Sequence, residues 1–406
     1  MGCVGSSQST LVGIPPQPPY HGAPCEYRFE NFEITYVEQF NLAFMPTAGK
    51  PFMTSDEKVY SVTLGSLYDL GFRLLTFSVI PASLKVSGVF TVNVKHTQKY
   101  QGICRKLPED ELPQQWSLKV VKSYLPSEVF THGVFRMGDG KITADANHIF
   151  QTITNEAANG ARLLCIEITG FNSQNVKQHG ATSAAAGAFD GQGAMNVCFS
   201  GQSPDMIPGV DIFFEIPRNP SSNRYIYQCV TIPMKITWTM AMALGGKWIV
   251  EMKWVGVTSQ YLGTGWKLVD IFMDQNNRGF RDGFTTSKIT INQNCVFIFE
   301  KEQSKLNDNK PVYEATMVEY NAPGKMGGIG TATAQFNPAW EPVLGQLGTY
   351  GWELVKILDT PAIKIDGGGF GSFSYKKVMW MFLHRKIVAA PPDPSGGAPT
   401  PAEPPK

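Results

Sequence analysis

Four glycines constrain this chain most, because each one ends a helical pattern and opens a buried-strand pattern. The segments are Gly71-Phe72-Arg73-Leu74-Leu75-Thr76-Phe77, Gly160-Ala161-Arg162-Leu163-Leu164-Cys165-Ile166, Gly265-Trp266-Lys267-Leu268-Val269-Asp270-Ile271 and Gly351-Trp352-Glu353-Leu354-Val355-Lys356-Ile357. Leu stands third after every glycine, with a large apolar residue fourth and sixth. Glycine enters the left-handed conformation that terminates a helix without the cost a Cβ would add. A dense apolar run of this length reads as a buried strand.

The stretches before the glycines carry helical spacing. Trp340, Val343, Leu344 and Leu347 share one face, with Asn337 as N-cap and Pro338 at the first helical position. Ile149, Phe150, Ile153 and Ala157 form a second such stripe, and Trp248, Met252 and Val255 a third. Thr54 and Glu57 are spaced as a capping box for the first helix. Leading strands are expected at 27–37, 116–121, 225–232 and 313–320, and closing strands at 89–94, 212–216, 296–299 and 378–383.

The expected fold is therefore α+β: four β-α-β-β repeat units, with antiparallel sheets and helices packed on one face. The units span 25–100, 116–218, 225–302 and 311–386. Within the second, residues 171–208 are rich in Gly, Ser, Ala and Asn and read as a mobile loop. Residues 389–406 read as a Pro-rich disordered tail.

Formal charge is +1, so no bulk attraction to nucleic acid is expected. Seven scattered cysteines without a C-x-x-C pair fit reduced thiols rather than a disulfide framework or a zinc site. The most apolar stretch, Ile236 to Gly246, is bracketed by Lys235 and Lys247 and is too short to cross a bilayer.

The chain starts Met1-Gly2-Cys3-Val4-Gly5-Ser6. With Met1 removed, Gly2 offers a free amine and Ser6 stands four positions on, the pattern read by an N-myristoyltransferase. Cys3 beside it is a thiol poised for S-palmitoylation. One myristoyl chain binds membrane with a constant of only about 10⁴ M⁻¹, so stable attachment takes a second signal. No Lys or Arg occurs before Arg28, which leaves Cys3 to supply it. Residues 1–24 are accordingly expected to be an acylated flexible tether, with Gly2 and Cys3 as the lipidation sites.

Several motifs resemble the raftlin family. They are Val312-Tyr313-Glu314-Ala315, Met317-Val318-Glu319-Tyr320, Leu347-Gly348-Thr349-Tyr350-Gly351-Trp352-Glu353-Leu354 with Thr360-Pro361, Cys295-Val296-Phe297-Ile298-Phe299-Glu300, Val230-Thr231-Ile232-Pro233 and Glu26-Tyr27-Arg28-Phe29. The resemblance implies a scaffold on the cytoplasmic face of the plasma membrane, with endosomal membranes as a second location. Its implied partners are the lipids of ordered domains, reached through the acyl chains, and membrane-associated proteins or receptors whose signalling or endocytic uptake it supports. A component of a cytoskeletal or ciliary assembly and a soluble ligand-binding protein are the competing readings.

No catalytic residue, metal site or cofactor is expected. The six histidines form no H-E-x-x-H or H-x-H, and the loops Gly327-Gly328-Ile329-Gly330 and Gly367-Gly368-Gly369-Phe370-Gly371 lack the Gly-Lys-Ser/Thr of a phosphate cradle. Gly138-Asp139-Gly140-Lys141-Ile142-Thr143 lacks the oxygen ligands of a calcium loop and reads as a turn. Lys376, Lys377, Arg385 and Lys386 read as a solvated strand end, and the tryptophans as core.

Overall fold

The computed structural model describes residues 14, 16–39, 57–81, 83, 85–87, 93–108, 115–131, 140–172, 177–179, 207–219, 221–239, 247–281, 288–327, 333–336, 338–369 and 372–389. They form an α+β fold of four α-helices and several small, largely antiparallel sheets. The first sheet holds β1 (Tyr27–Gln39), β2 (Phe72–Val79), β3 (Lys85–Ser87) and β4 (Asn93–Lys106), with helix α1 (Lys58–Asp69) between β1 and β2 in sequence. Its order is β1-β4-β2, with β3 also on β4.

The second sheet has β5 (Trp116–Tyr124), β8 (Arg162–Asn172) and β10 (Ile207–Pro217) in the order β5-β10-β8. Here β6 (Ser127–Thr131), β7 (Gly140–Ala144) and helix α2 (Asn147–Ala158) come before β8, and β9 (Lys177–His179) follows it. The third comprises β11 (Tyr225–Thr239), β12 (Lys247–Met252), β13 (Lys267–Arg281) and β14 (Lys288–Glu302), with helix α3 (Trp254–Gly263). It is extended by the earlier strands into the order β12-β11-β14-β13-β7-β6-β9. The fourth is β16-β15-β18-β17, from β15 (Tyr313–Gly327), β16 (Thr333–Phe336), β17 (Glu353–Gly369) and β18 (Ser372–Lys386), with helix α4 (Glu341–Gly348).

In every sheet the closing strand lies between the leading strand and the strand that follows the glycine. Each turn glycine has positive φ: +83° at Gly71, +92° at Gly160, +83° at Gly265 and +74° at Gly351. A side chain there would be strained, whereas glycine lets the next amides reach back to the carbonyls left open at the helix end. Thus Gly160 N donates to Ala157 O at 2.9 Å and Ala161 N to Glu156 O at 3.0 Å. Trp266 N closes the third helix on Tyr261 O in the same way, at 3.1 Å.

The elements close on themselves. The strands β2, β8, β13 and β17 touch in succession, and β17 returns to β2. Helix α1 packs on β5, α2 on β11, α3 on β15 and α4 on β1. The apolar core follows this circuit in four clusters. Phe77, Tyr60 and Phe32 meet Phe213 and Leu164. Ile149, Ile212 and Phe214 meet Phe272 and Ile298. Phe297, Phe299 and Ile271 meet Phe382, Trp380 and Leu358. Trp340, Leu344 and Met381 meet Leu75 and Ile103. Each cluster draws on two neighbouring sheets, so no sheet has a core of its own.

Several local expectations are corrected. Trp248 and Met252 lie on β12, not on a helix; the alternation of 247–252 lets it pair with β11, and the helix starts only at Trp254. The N-cap of α4 is Trp340, with the early proline inside the helix at Pro342, so Pro338 precedes the helix; Asn337 lies outside the described residues. Glu57 is itself the cap residue of α1 and makes no side-chain cap bond, and Thr54 is not among the described residues.

The closing strand expected at 89–94 is β4, which runs from 93 to 106. Its polar side chains hid it, and two of them, Gln98 and Gln101, are buried. Residues 171–172 extend β8 and 207–208 open β10 rather than belonging to a loop, 140–143 lie on β7 rather than in a turn, and 177–179 pair parallel to β6, so the sheets are not all antiparallel. The rest of the expected loop at 173–176 and 180–206, and the tail beyond 389, lie outside the described residues. Lys377 and Arg385 are not a solvated strand end: both are buried, Lys377 against Asp359 at 2.8 Å.

Candidate functional site

The second residue after each turn glycine is charged: Arg73, Arg162, Lys267 and Glu353. All four stand at or next to the first residue of β2, β8, β13 and β17, the strands that touch in succession. Sheet register sets a second polar residue opposite each: Arg105 faces Arg73, Glu215 faces Arg162, Glu300 faces Lys267 and His384 faces Glu353. Eight polar groups therefore meet where the sheets converge, and ion pairs cross between sheets. Arg73 bonds Glu215 at 2.7 Å, Arg162 bonds Glu300 at 2.6 Å and Arg105 bonds Glu353 at 2.6 Å. Lys267 Nζ stands 4.0 Å from Glu353, and His384 Nε2 3.4 Å from it.

A second set stands a few residues further along the same strands β8, β13 and β17. Lys356 bonds Glu167 at 3.1 Å, donates to Ile166 O at 2.7 Å and stands 3.6 Å from Asp270. Asp270 accepts the amide of Ile166 at 2.7 Å.

Burial and charge compete in this centre. Burial alone would raise Glu353, but Arg105, His384 and Lys267 hold its carboxyl well below the usual range. Burial likewise works against Glu300, which Arg162 overrides to leave the group lowered. Burial depresses Lys267 to about 7, opposed by Glu353 and reinforced by Arg162. Burial and then Lys267 bring His384 down to about 4.

A lysine whose folded pKa is lowered is proton-poor in the native state. The unfolded chain therefore binds more protons between about pH 7 and about 10.4, and stability rises with pH across that window, by up to about 1.4 kcal/mol per pH unit. Urea midpoints should thus increase from pH 7 to pH 9, and Lys267→Met should flatten the increase. An unchanged slope in that variant would rule the assignment out.

The recess beside these groups is lined by Arg73, Leu75, Leu163, Lys267, Glu300 and His384 and has room for about 20 Å³. That suits one water, far from the roughly 300–1,000 Å³ of a small-molecule pocket. Among the described residues no group of three His, Cys, Asp or Glu is placed to hold a metal ion. The charged centre works as a cross-brace between sheets. Histidine and cysteine spacing carries no trace of it; its signal in the sequence is one charge placed inside each apolar run.

At one end of the molecule the N-terminal segment lies against the fourth sheet. Ile14 packs on the cluster around Trp340. Gln17 Oε1 accepts from Trp352 Nε1 at 2.8 Å, and Tyr20 OH donates to Lys386 O at 3.2 Å. The Arg385 guanidinium is 4.3 Å from the Trp352 ring and 4.7 Å from the Tyr20 ring, and is fixed by Glu314 at 2.6 Å. Cys25 N donates to Gly348 O at 2.7 Å. A side chain at Gly348 would strike the Cys25 carbonyl, and one at Gly351 would strike the Tyr20 ring.

The C-terminal half of the segment expected as a free tether is therefore seated on the body. Gly2 and Cys3 lie outside the described residues. Among the described residues no helix is long and apolar enough to cross a membrane.

No curated protein and no solved structure matches the chain. The raftlin family model does match, over residues 153–391. That span takes in α3, α4 and most of the charged centre. By this match over more than half its length the chain belongs to the raftlin family, whose members are non-catalytic scaffolding proteins.

Proposed function

We propose that this protein is a lipid-anchored scaffold on the cytoplasmic face of the plasma membrane, with myristate on Gly2 and palmitate on Cys3. The observation that carries the reading is a Met-Gly-Cys-Val-Gly-Ser start on a raftlin-family chain. Saturated acyl chains favour ordered lipid, and the folded body then holds receptors or other membrane-associated proteins there for signalling or uptake. The seated segment from Ile14 to Cys25 supports the reading, since a rooted leash couples the anchor to a fixed point on the body.

The body in this reading is one β-α-β-β unit used four times and closed into a ring. Support comes from the shared strand order, the four positive-φ glycines and the circuit of helix-to-next-strand contacts. A closed ring braced by buried ion pairs offers a rigid platform, which a co-localising protein needs more than a pocket.

Gly2→Ala is expected to move the protein from the membrane pellet to the soluble fraction, because it removes myristate and with it the membrane visit that Cys3 acylation requires. Cys3→Ser should leave only exchangeable binding, near the 10⁴ M⁻¹ or so of a single myristoyl chain. Intact mass of the protein from its own cells reads both groups directly. A fully pelleting Gly2→Ala protein, or a native mass without either acyl group, would end the proposal.

A further inference from the structure

The strands give the body two distinct ends. At one end lie Tyr27 at the start of β1, Lys386 at the end of β18, the four turn glycines and the linker 303–312 between the third and fourth sheets. At the other lie Thr239, Lys288, Gly327 and Gly369, the far ends of the long hairpins. Strands β11 and β14 pair over fifteen residues, so the two ends stand about 50 Å apart at about 3.4 Å per residue.

Beside the seated N-terminal segment the first end is apolar where a soluble surface would be polar. Leu306 (37% exposed), Val312 (40%), Ile387 (50%) and Val388 (43%) are four of the ten exposed large hydrophobic side chains among the described residues. Val312 and Ile387 are joined through backbone, Ile387 N donating to Val312 O at 2.9 Å, and Tyr20 OH bonds the carbonyl of the adjacent Lys386. The polar groups around them nearly balance. Lys305 is bonded to Glu302 at 2.6 Å, and exposed Lys310 and Lys386 stand with exposed Asp308.

We infer that this end, centred on Val312, Ile387 and Val388, is the face the body lays against the phospholipid interface, so that the hairpin ends point away from the membrane. The inference rests on the acyl-anchor reading. Gly2 and Cys3 are separated from Ile14 by ten residues after Cys3, a length of chain that spans no more than about 40 Å even fully extended. Such a leash, rooted where Ile14 packs on the cluster around Trp340, just ahead of Gln17 on Trp352 and Tyr20 on Lys386, brings lipid to the near end more readily than to the far end. The patch carries little net charge, so its apolar side chains can insert shallowly and add to the acyl anchor an attachment that salt does not screen. Partner proteins are then met by the far end.

The test uses the full-length acylated protein, its mass checked for both acyl groups, and phosphatidylcholine vesicles with and without added salt. Ile387→Asp/Val388→Asp is expected to lower vesicle partition by about tenfold or more, since it replaces buried apolar area with charge. Ile249→Asp, on the edge strand β12 away from this end, should partition like the parent protein. Equal urea midpoints for the three proteins would establish that folding is not the cause. Parent-like partition of the doubly acylated Ile387/Val388 variant, or an equal loss in Ile249→Asp, would overturn the docking face while leaving the anchor intact. A parent protein that carries no acyl group and ignores vesicles would instead overturn the anchor.

Discussion

A fragment trimmed to residues 153–391, the span of the family match, is expected not to fold cooperatively. The cut removes β1, α1, β2 and β4, and with them one side of two core clusters. Phe213 and Leu164 lose Phe77, Tyr60 and Phe32, whose rings contact Phe213 or one another at centroid distances of 4.9–6.3 Å. Trp340, Leu344 and Met381 lose Leu75 and Ile103, and Trp340 Nε1 loses its 2.6 Å bond to Gln101. Glu353 and Glu215 lose Arg105 and Arg73, leaving carboxylates in an opened core.

Small domains are stable by only about 5–15 kcal/mol, and each large buried aromatic partner deleted costs about 3–5 kcal/mol, so the loss exceeds any margin. The fragment should show strong dye binding to exposed apolar surface and a broad urea transition without a steep midpoint. The full chain should unfold in one transition. A sharp, dye-silent transition in the fragment would show that the sheets hold independent cores, and the closed circuit of contacts would then be incidental.

The sequence carried the fold where one local rule ruled alone. Gly71, Gly160, Gly265 and Gly351 were readable because a positive-φ glycine after a helical stripe has few other uses, and Leu344, Leu347, Ile149 and Ile153 because helical spacing marks a buried face. Strand β4 was obscured, since Gln98 and Gln101 are buried and satisfied by distant partners such as Ser83, Asn31 and Glu341. Strands β6 and β7 were missed because they extend a sheet that starts a hundred residues later, a pairing with no local signature. Arg385 read as surface charge, yet its guanidinium lies against the rings of both Trp352 and Tyr20, which are distant in sequence. The charged centre needed both register and circuit. A lone charge in an apolar run looks like a strand end until four such runs are brought together.

Leucine in place of Glu353 is expected to cost about 3–5 kcal/mol, the range for removing one partner of a buried ion pair. Glu353 is 6% exposed and Arg105 7%, so the guanidinium left behind cannot be rescued by water. Lys267 would lose the anion that favours its charge, and His384 a carboxylate 3.4 Å from its Nε2. Removing both charges should cost far less. Arg105→Leu/Glu353→Leu replaces a desolvated pair by apolar groups, which is often close to neutral. The double-mutant cycle in urea should therefore give a coupling of several kcal/mol at unchanged m-value.

Acid gives an independent reading. Glu353 is lowered in the folded state, so its contribution is present above the ordinary glutamate pKa of about 4.3 and lost as pH falls through the folded value. His384 is lowered to about 4, so the native state resists protonation and its contribution fades from about pH 6.5 downward. In Glu353→Leu the loss below about pH 4.3 should shrink. A single variant within about 1 kcal/mol of the parent, with an unaltered acid limb, would mean the centre is not braced by this pair, since surface ion pairs are worth no more than that.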